Sequence, residues 1–237
     1  MKLSTTEVSR YMKQMLLPEV GVPGQQRLKQ ARVAVIGAGG LGCPVLQYLV
    51  AAGVGTIGMI DPDVVDVSNL HRQVLYHTAD VGRAKVWVAF EKLKAQNPFC
   101  ALIAEQEAIT ALNAAKLLSG YDLVIDGCDN FATRYVVNDM CVKLNLPLVY
   151  GSILGDEGQV AVFNYKGSKN LRDIFPDPPL AGDVPDCSEN GVLGTVPGIV
   201  GSMMANMALQ IILQRPVAIN QYFLLNTLTL DKTILNY

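Results

Sequence analysis

Short apolar runs alternate with longer amphipathic stretches between residues 32 and 153. The apolar runs predict strands that are buried on both faces, as strands of a parallel sheet are. They lie at residues 32–37, 56–61, 99–109, 121–130 and 147–153. The stretches between them have helical spacing and predict helices at 41–53, 81–97, 111–120 and 131–145. This alternation predicts an α/β fold with a doubly wound, mostly parallel, Rossmann-like sheet.

The pattern changes on both sides of this region. Residues 7–30 predict a short N-terminal helical arm, within residues 1–30. The alternating segment 158–165 predicts an antiparallel strand, and two more strands are predicted in an antiparallel C-terminal extension, at 221–230 and 232–237. Between them, the proline-rich segment 165–190 predicts a crossover loop that packs over a site. Because there is no repeat or linker, residues 1–237 are interpreted as one domain.

An uncharged segment at 192–213 has two interpretations. Its length and apolarity are typical of a transmembrane helix. Pro197, Asn206 and Gln210 dilute that signal and favour a helix buried under the sheet. The sequence therefore predicts no association with a membrane.

Composition limits the class of protein. Half of the 237 residues are hydrophobic, and the formal net charge of −2 indicates no nucleic-acid partner. No two of the five cysteines are spaced C-x-x-C, which favours a reducing cytosol over a disulfide framework. The N-terminus shows no apolar signal-peptide region, so a cytoplasmic location is predicted.

The stretch "RVAVIGAGGLGCP", residues 32–44, contains G-x-G-x-x-G at Gly37, Gly39 and Gly42. Such a turn brings the backbone close to a phosphate at a helix N-terminus. Asp61 ends the next predicted strand, where a carboxylate can hold ribose hydroxyls. These features predict a nucleotide-binding site, but the pattern does not distinguish NAD, FAD and ATP. The alternative interpretation is that the glycines serve only tight packing between helix and strand.

Three more charged positions favour a triphosphate. Arg72, in "SNLHRQ", offers a fork of donors to phosphate oxygens, and Asn69 adds a neutral polar group. Lys85 begins a predicted helix, and Asp129 follows a strand, where its carboxylate could hold Mg²⁺. Attack at an α-phosphorus needs such charges around it, whereas hydride transfer does not. The alternatives are solvated surface charges at Arg72 and Lys85, and at Asp129 a cap on the helix beginning near Asn130.

Several motifs occur together and in order: "RYMKQ", "GAGGLG", "SNLHRQ", "VGRAK", "GCDN" and "CSENGVLGTVPGIVG". With them the chain resembles the ThiF/MoeB/HesA family, bacterial relatives of the ubiquitin-activating enzymes, over nearly all of its length. The resemblance implies an enzyme, an adenylyltransferase that binds MgATP. It would adenylate the C-terminal Gly-Gly carboxylate of a ubiquitin-like sulfur carrier (ThiS- or MoaD-like) in thiamin or molybdopterin biosynthesis.

The resemblance also implies the site residues. Arg72, Lys85 and Asp129 would be catalytic, with Asp129 as the Mg²⁺ ligand. The nucleotide would be bound by Gly37, Gly39, Gly40, Gly42, Asp61, Ser68, Asn69, Leu70, His71, Arg72, Gln73, Lys85, Asp129 and Asn130. No chemistry of its own is assigned to the His71 ring.

Two further positions carry conditional roles. Lys13 stands where the family commonly has an arginine that reaches the ATP of a neighbouring subunit, so a homodimer is implied. Cys187 matches a cysteine that forms a thiol-linked intermediate in some relatives, but its acidic neighbours disfavour a reactive thiolate. The paired C-x-x-C motifs of zinc-binding relatives are missing, so no structural zinc is expected.

Two alternative functions stay open. One is an NAD-dependent Rossmann oxidoreductase, which NADH rather than MgATP would stabilise. The other is a family member that adenylates a peptide or a transfer RNA, which only the substrate distinguishes.

Overall fold

A computed structural model describes residues 2–179 and 191–237 of the chain. The described strands are β1 (Arg32–Ile36), β2 (Thr56–Ile60), β3 (Ala101–Glu105), β4 (Leu123–Asp126), β5 (Leu148–Leu154), β6 (Glu157–Phe163), β7 (Gln221–Asn226) and β8 (Lys232–Asn236). The α-helices are α1 (Thr5–Met15), α2 (Gly21–Gln30), α3 (Gly42–Ala52), α4 (Lys85–Gln96), α5 (Ala114–Leu118), α6 (Phe131–Leu144) and α7 (Thr195–Ile212).

All eight strands form one sheet in the order β3-β2-β1-β4-β5-β6-β7-β8. β1 to β5 are parallel, and β6, β7 and β8 continue the sheet in antiparallel pairs. The fold prediction is therefore confirmed. Because β1 lies between β2 and β4, the strand order reverses there, and a crevice opens beyond the carboxyl ends of these strands.

The central strands are buried because both faces of the sheet are covered. Val33 and Val35 of β1 join a core with α3, α4 and α7, whereas Ala34 and Ile36 join a second core with α5 and α6. Successive side chains of a strand point to opposite faces, so one apolar run supplies both cores. This explains why the parallel strands read as continuous apolar segments rather than alternating ones.

The N-terminal arm differs from the prediction because it consists of two helices, α1 and α2. Pro18 lies in the turn between them, and proline cannot continue a helix from its interior. Ser4 and Glu7 form a capping box at the start of α1. In the predicted crossover loop, the described residues contain a 3-10 turn at Leu171–Asp173, and residues 180–190 lie outside the described part.

The buried Glu7 carboxylate predicts a pH-dependent contribution to stability. Burial opposes its charge, but Lys29 at 2.7 Å and the Ser4 hydrogen bonds outweigh it and lower its pKa. Glu7→Gln is therefore expected to lower the free energy of unfolding by about 1 kcal/mol at pH 7. The difference in the free energy of unfolding between Glu7→Gln and wild type should shrink as the pH falls from the ordinary carboxyl pKa of 4.5 through the lower pKa of Glu7 in the folded protein. The reason is that the carboxylate becomes protonated.

Thermal melts of both proteins at pH 7 and at low pH measure this difference. Glu19→Gln, at an exposed position in the α1–α2 turn, is the control and should change neither melt. A Glu7→Gln destabilisation that persists unchanged at low pH would contradict the assignment.

Helix α7 is the one described helix that is long and apolar enough to span a membrane. It nevertheless packs on α3, β5 and β6. A Cβ at Gly201 would lie 2.5 Å from Pro44 Cγ and 2.6 Å from the Leu41 carbonyl oxygen. Its packing as a core helix accounts for its apolar sequence.

Candidate functional site

A cavity of about 500 Å³ opens beyond the carboxyl ends of the parallel strands. Its walls come from the segments that follow β1, β2, β3 and β4, from the end of β5, from the first residue of α4 and from residues 191–192. Ten of the predicted site residues line it: Gly37, Gly39, Gly40, Asp61, Asn69, Arg72, Gln73, Lys85, Asp129 and Asn130. Because parallel strands end at one edge of the sheet, residues far apart in the sequence meet there.

One side of the glycine turn lines the cavity and the other is closely packed. Gly37 has φ +87°, and a Cβ there would lie 2.8 Å from the Gly127 carbonyl oxygen. A Cβ at Gly42 would lie only 2.0 Å from the Gly37 carbonyl oxygen, so Gly42 serves packing and does not line the cavity. No side chain caps the start of α3. The N–H groups of Gly39 and Gly40, just before the helix, have no hydrogen-bond partner among the described residues and offer donors to an anion.

Asp61 is held rigidly at the end of β2. Its Oδ2 accepts a hydrogen bond from the Ala38 N–H at 2.7 Å, and its Oδ1 accepts one from the Asp63 N–H at 2.8 Å. Burial raises the pKa of Asp61, although Lys85 and the two N–H groups oppose the shift. The carboxylate keeps further lone pairs with which it can accept hydroxyl protons.

Arg72 reaches the cavity from a turn that follows the 3-10 helix at Val67–Asn69. Its Nη1 donates to the Ser68 carbonyl oxygen at 3.2 Å. The other guanidinium N–H groups have no hydrogen-bond partner among the described residues, and a guanidinium carries five donors. Arg72 can therefore offer a fork of donors to a ligand in the cavity.

Three members of the predicted phosphate motif do not line the cavity. The Ser68 hydroxyl donates to Asp66 Oδ1 at 2.6 Å, so the turn itself engages it. Leu70 packs against the core, and His71 lies along a separate apolar groove beside α7. The turn therefore separates these three side chains from those of Asn69, Arg72 and Gln73, which line the cavity.

Lys85 is buried at the first position of α4. Its Nζ lies 2.8 Å from Asp63 Oδ2, which fixes the ammonium group at the cavity wall. The alternative of a solvated surface charge is therefore wrong for Lys85, whose exposure is only 5%. Arg72 is half-buried.

Asp129 lies between β4 and α6, with its side chain exposed on the cavity wall. The cap of α6 is Asn130, whose side chain accepts a hydrogen bond from the Thr133 N–H at 2.9 Å. The alternative of Asp129 as a helix cap is therefore wrong. Its carboxylate has one long hydrogen bond among the described residues, from Asn130 Nδ2 at 3.5 Å.

The donor set around Asp129 fits a magnesium ion bound together with phosphates. In the described part of the chain, no three His, Cys, Asp or Glu residues form a group that could hold a metal. Mg²⁺ at nucleotide sites, however, uses one or two carboxylates plus phosphate oxygens and water. The Asp129 carboxylate is an oxygen donor of the type that such a site uses.

Arg134 and Asp126 are functional candidates that the sequence reasoning missed. Arg134 lines the cavity, although its exposure is only 4%. Burial opposes its charge, but the carboxylate of Asp126 at 3.4 Å outweighs this and raises its pKa. The pair could have been indicated by one sequence signal. An otherwise apolar strand ends in a carboxylate, and an arginine follows in the first turn of the next helix.

The cavity carries both signs of charge. Three cationic residues line it, Arg72, Lys85 and Arg134. Among the described residues, four carboxylates also line it: Asp61, Asp63, Glu107 and Asp129. The arrangement therefore suits a ligand with anionic, hydroxyl and metal-bound parts better than a bare polyanion.

Lys13 does not line this cavity. Lys13 is exposed on α1, where its neighbour Gln14 donates to the Ala52 carbonyl oxygen at 2.9 Å. Ala52 ends α3, whereas the cavity lies at the beginning of that helix. Cys187 falls outside the described residues.

Comparison with solved structures shows the same fold. The crystal structure of PaaA aligns with a TM-score of 0.84 at 23% identity, covering 99% of this chain and 74% of that one. A crystal structure of E. coli MccB with ATP aligns with a TM-score of 0.81 at 21% identity, covering 96% of this chain and 71% of that one.

Comparison of sequences shows the family. The sulfur carrier protein adenylyltransferase of Thermus thermophilus is 52% identical over 218 residues, 90% of this chain and 80% of that protein. The probable adenylyltransferase/sulfurtransferase MoeZ of Mycobacterium tuberculosis is 50% identical over 214 residues, 89% of this chain and 55% of MoeZ, so the chain spans about half of that relative. Residues 11–236 match the ThiF family, and the chain therefore belongs to the ThiF family.

Proposed function

We propose that this protein is an adenylyltransferase that uses ATP to activate the C-terminal carboxylate of a ubiquitin-like sulfur-carrier protein. Relatives with 43–52% identity over most of the chain are named as adenylyltransferases, as the sequence predicts. The observation that carries the proposal is that Arg72, Lys85 and Asp129, from three separate segments, line one cavity.

The nucleotide would lie across the start of α3. Asp61 is oriented by two backbone N–H groups and would accept the ribose hydroxyl protons. The N–H groups of Gly39 and Gly40, just before α3, would donate to phosphate oxygens, since a helix N-terminus favours negative charge. Gly39 and Gly40 allow this close approach because they carry no side chain.

The reaction joins two anions. A carboxylate oxygen of the carrier forms a bond to the α-phosphorus, the bond from that phosphorus to the oxygen bridging to the β-phosphorus breaks, and pyrophosphate leaves with the electron pair. Arg72 and Lys85 would lower the repulsion between carboxylate and triphosphate and stabilise the charge that develops. Mg²⁺ held by Asp129 would neutralise part of the triphosphate charge.

The finer assignments are proposals of the same kind. The names of two relatives point to sulfur carriers and to molybdopterin synthase, so a MoaD- or ThiS-like carrier is the proposed partner. We also propose a cytoplasmic homodimer, in which Lys13 reaches the ATP of the neighbouring subunit. The support for a second subunit is that Lys13 is exposed on α1 and does not line its own cavity.

ATP–pyrophosphate exchange with purified candidate carriers tests the proposal. We expect exchange that depends on the carrier and is lost when its C-terminal Gly-Gly is deleted, because the terminal carboxylate is then misplaced. We also expect thermal stabilisation by MgATP and none by NADH. Exchange without any carrier, exchange with none of the carriers, or stabilisation by NADH alone would contradict the proposal.

A further inference from the structure

Cys128, the residue before Asp129, is fixed by hydrogen bonds through both its N–H and its carbonyl oxygen. β4 ends at Asp126, and α6 begins at Phe131, which leaves only residues 127–130 between them. The Cys128 N–H donates to Asp126 Oδ1 at 3.0 Å, and the Cys128 carbonyl oxygen accepts from Arg134 Nη2 at 2.6 Å. Both polar backbone groups of Cys128 are therefore engaged immediately before Asp129.

The same guanidinium reaches the neighbouring strand. Arg134 Nη1 donates to the Gly151 carbonyl oxygen of β5 at 2.7 Å and lies 3.4 Å from Asp126 Oδ2. The plane of the guanidinium also lies over Tyr150, with its carbon 4.6 Å from the ring centre. One side chain thus ties the start of α6 to β4, to β5 and to the turn.

A contribution to stability alone is a weak explanation for this arrangement. Burying an ion pair carries a desolvation penalty that often equals the attraction between the charges. The specific property of arginine is a rigid fork whose donors can satisfy two carbonyl groups and a carboxylate at fixed angles. Arg134 also lines the cavity, and its acceptor at Cys128 adjoins Asp129.

We propose that Arg134 is a positioning residue, whose buried guanidinium fixes the 127–130 turn and so the direction in which Asp129 presents its carboxylate to magnesium-bound ATP. This inference rests on the proposed function. A lysine at the same position would keep the charge but could not hold both carbonyl groups in one geometry. Asp129 would then keep its charge and lose its fixed direction.

The affinity for ATP, measured calorimetrically on the full chain in excess Mg²⁺ and again in EDTA, tests the inference. Wild type is expected to bind ATP more tightly with Mg²⁺. For Arg134→Lys, the affinity for ATP in EDTA should stay within about twofold of the wild-type value. The increase in affinity that Mg²⁺ causes should be about tenfold smaller than in wild type, since displacements of about 1 Å have effects of that order or larger. Asp129→Ala should lose the same gain, and the double variant should lose no more than either single one.

Arg172→Lys is the matched control. Arg172 also lies over an aromatic ring, that of Tyr135 at 4.8 Å, and pairs with Asp139, but it does not line the cavity. Its variant should retain the full magnesium-dependent gain. An unchanged gain in Arg134→Lys, equal losses with and without Mg²⁺, or additive losses in the double variant would overturn the inference.

Two further outcomes are distinguishable. If wild type binds no ATP, the proposed function itself fails. If Arg134→Lys loses cooperative thermal unfolding, Asp126→Asn with Arg134→Gln replaces it, because this neutral pair removes both buried charges together. The pair should show the same selective loss of the magnesium-dependent gain, and a retained gain would overturn the inference.

Discussion

Replacing Asp129 with alanine is expected to abolish ATP–pyrophosphate exchange while leaving the thermal unfolding of the protein unchanged. Its carboxylate lies on the cavity wall at the end of β4 and makes one long hydrogen bond among the described residues, so the core does not depend on it. Loss of a metal-held charge at a triphosphate raises the barrier by several kcal/mol, which corresponds to less than about 1% of the wild-type rate.

Two variants accompany this measurement. Asp129→Asn keeps the shape of the side chain and removes its charge, so it should be nearly as inactive as the alanine variant. Asp156→Ala alters an exposed aspartate in the β5–β6 turn that does not line the cavity, and it should retain exchange. Full exchange in Asp129→Ala with an unchanged melt would show that the carboxylate has no part in the reaction.

Arg72→Ala is expected to slow exchange by about 10²–10³-fold in kcat/KM, the usual effect of removing one preorganised donor from a site of developing charge. The Arg72 guanidinium has one hydrogen bond among the described residues, to the Ser68 carbonyl oxygen, and lines the cavity with its other donors available. Arg72→Lys should recover part of the loss, because it restores the charge without the fork. Steady-state exchange at several ATP concentrations measures both effects.

The control for Arg72 is Arg83→Ala. Arg83 is an exposed arginine that pairs with Glu91 at 2.7 Å and does not line the cavity. Such surface pairs contribute little, so exchange should stay within about twofold of wild type. An Arg72→Ala variant that matches Arg83→Ala would remove Arg72 from the mechanism.

Much of the fold could be predicted because its signals are local. The apolar runs at β1, β2 and β4 and the glycines after β1 report burial and turn geometry within a few residues. The arm was predicted less well, because its division at Pro18 interrupts one helical pattern. The proposed roles of Cys187 and of Lys13 stay predictions.

The candidate site could be predicted only in part. Asp61 and Asp129 follow strands, and the parallel topology brings strand ends to one edge, so their meeting was predictable. The contribution of Arg134 to the site was not predictable, because Arg134 donates to the carbonyl oxygens of Cys128 and Gly151, and backbone groups have no recognisable sequence pattern. Backbone acceptors leave no residue-type signal in a sequence.

The amino-acid sequence by itself determined the alternation of strands and helices, the glycine-rich turn after β1 and the family, since each is encoded in short stretches of the chain. Tertiary structure decided which members of "SNLHRQ" line the cavity and which are held within their own turn. It also decided the packing of α7, because an apolar helix can lie in a membrane or against a core, and one face of α7 packs on α3, β5 and β6. Side-chain direction and contacts between distant segments are properties of the packed chain, and no local pattern contains them.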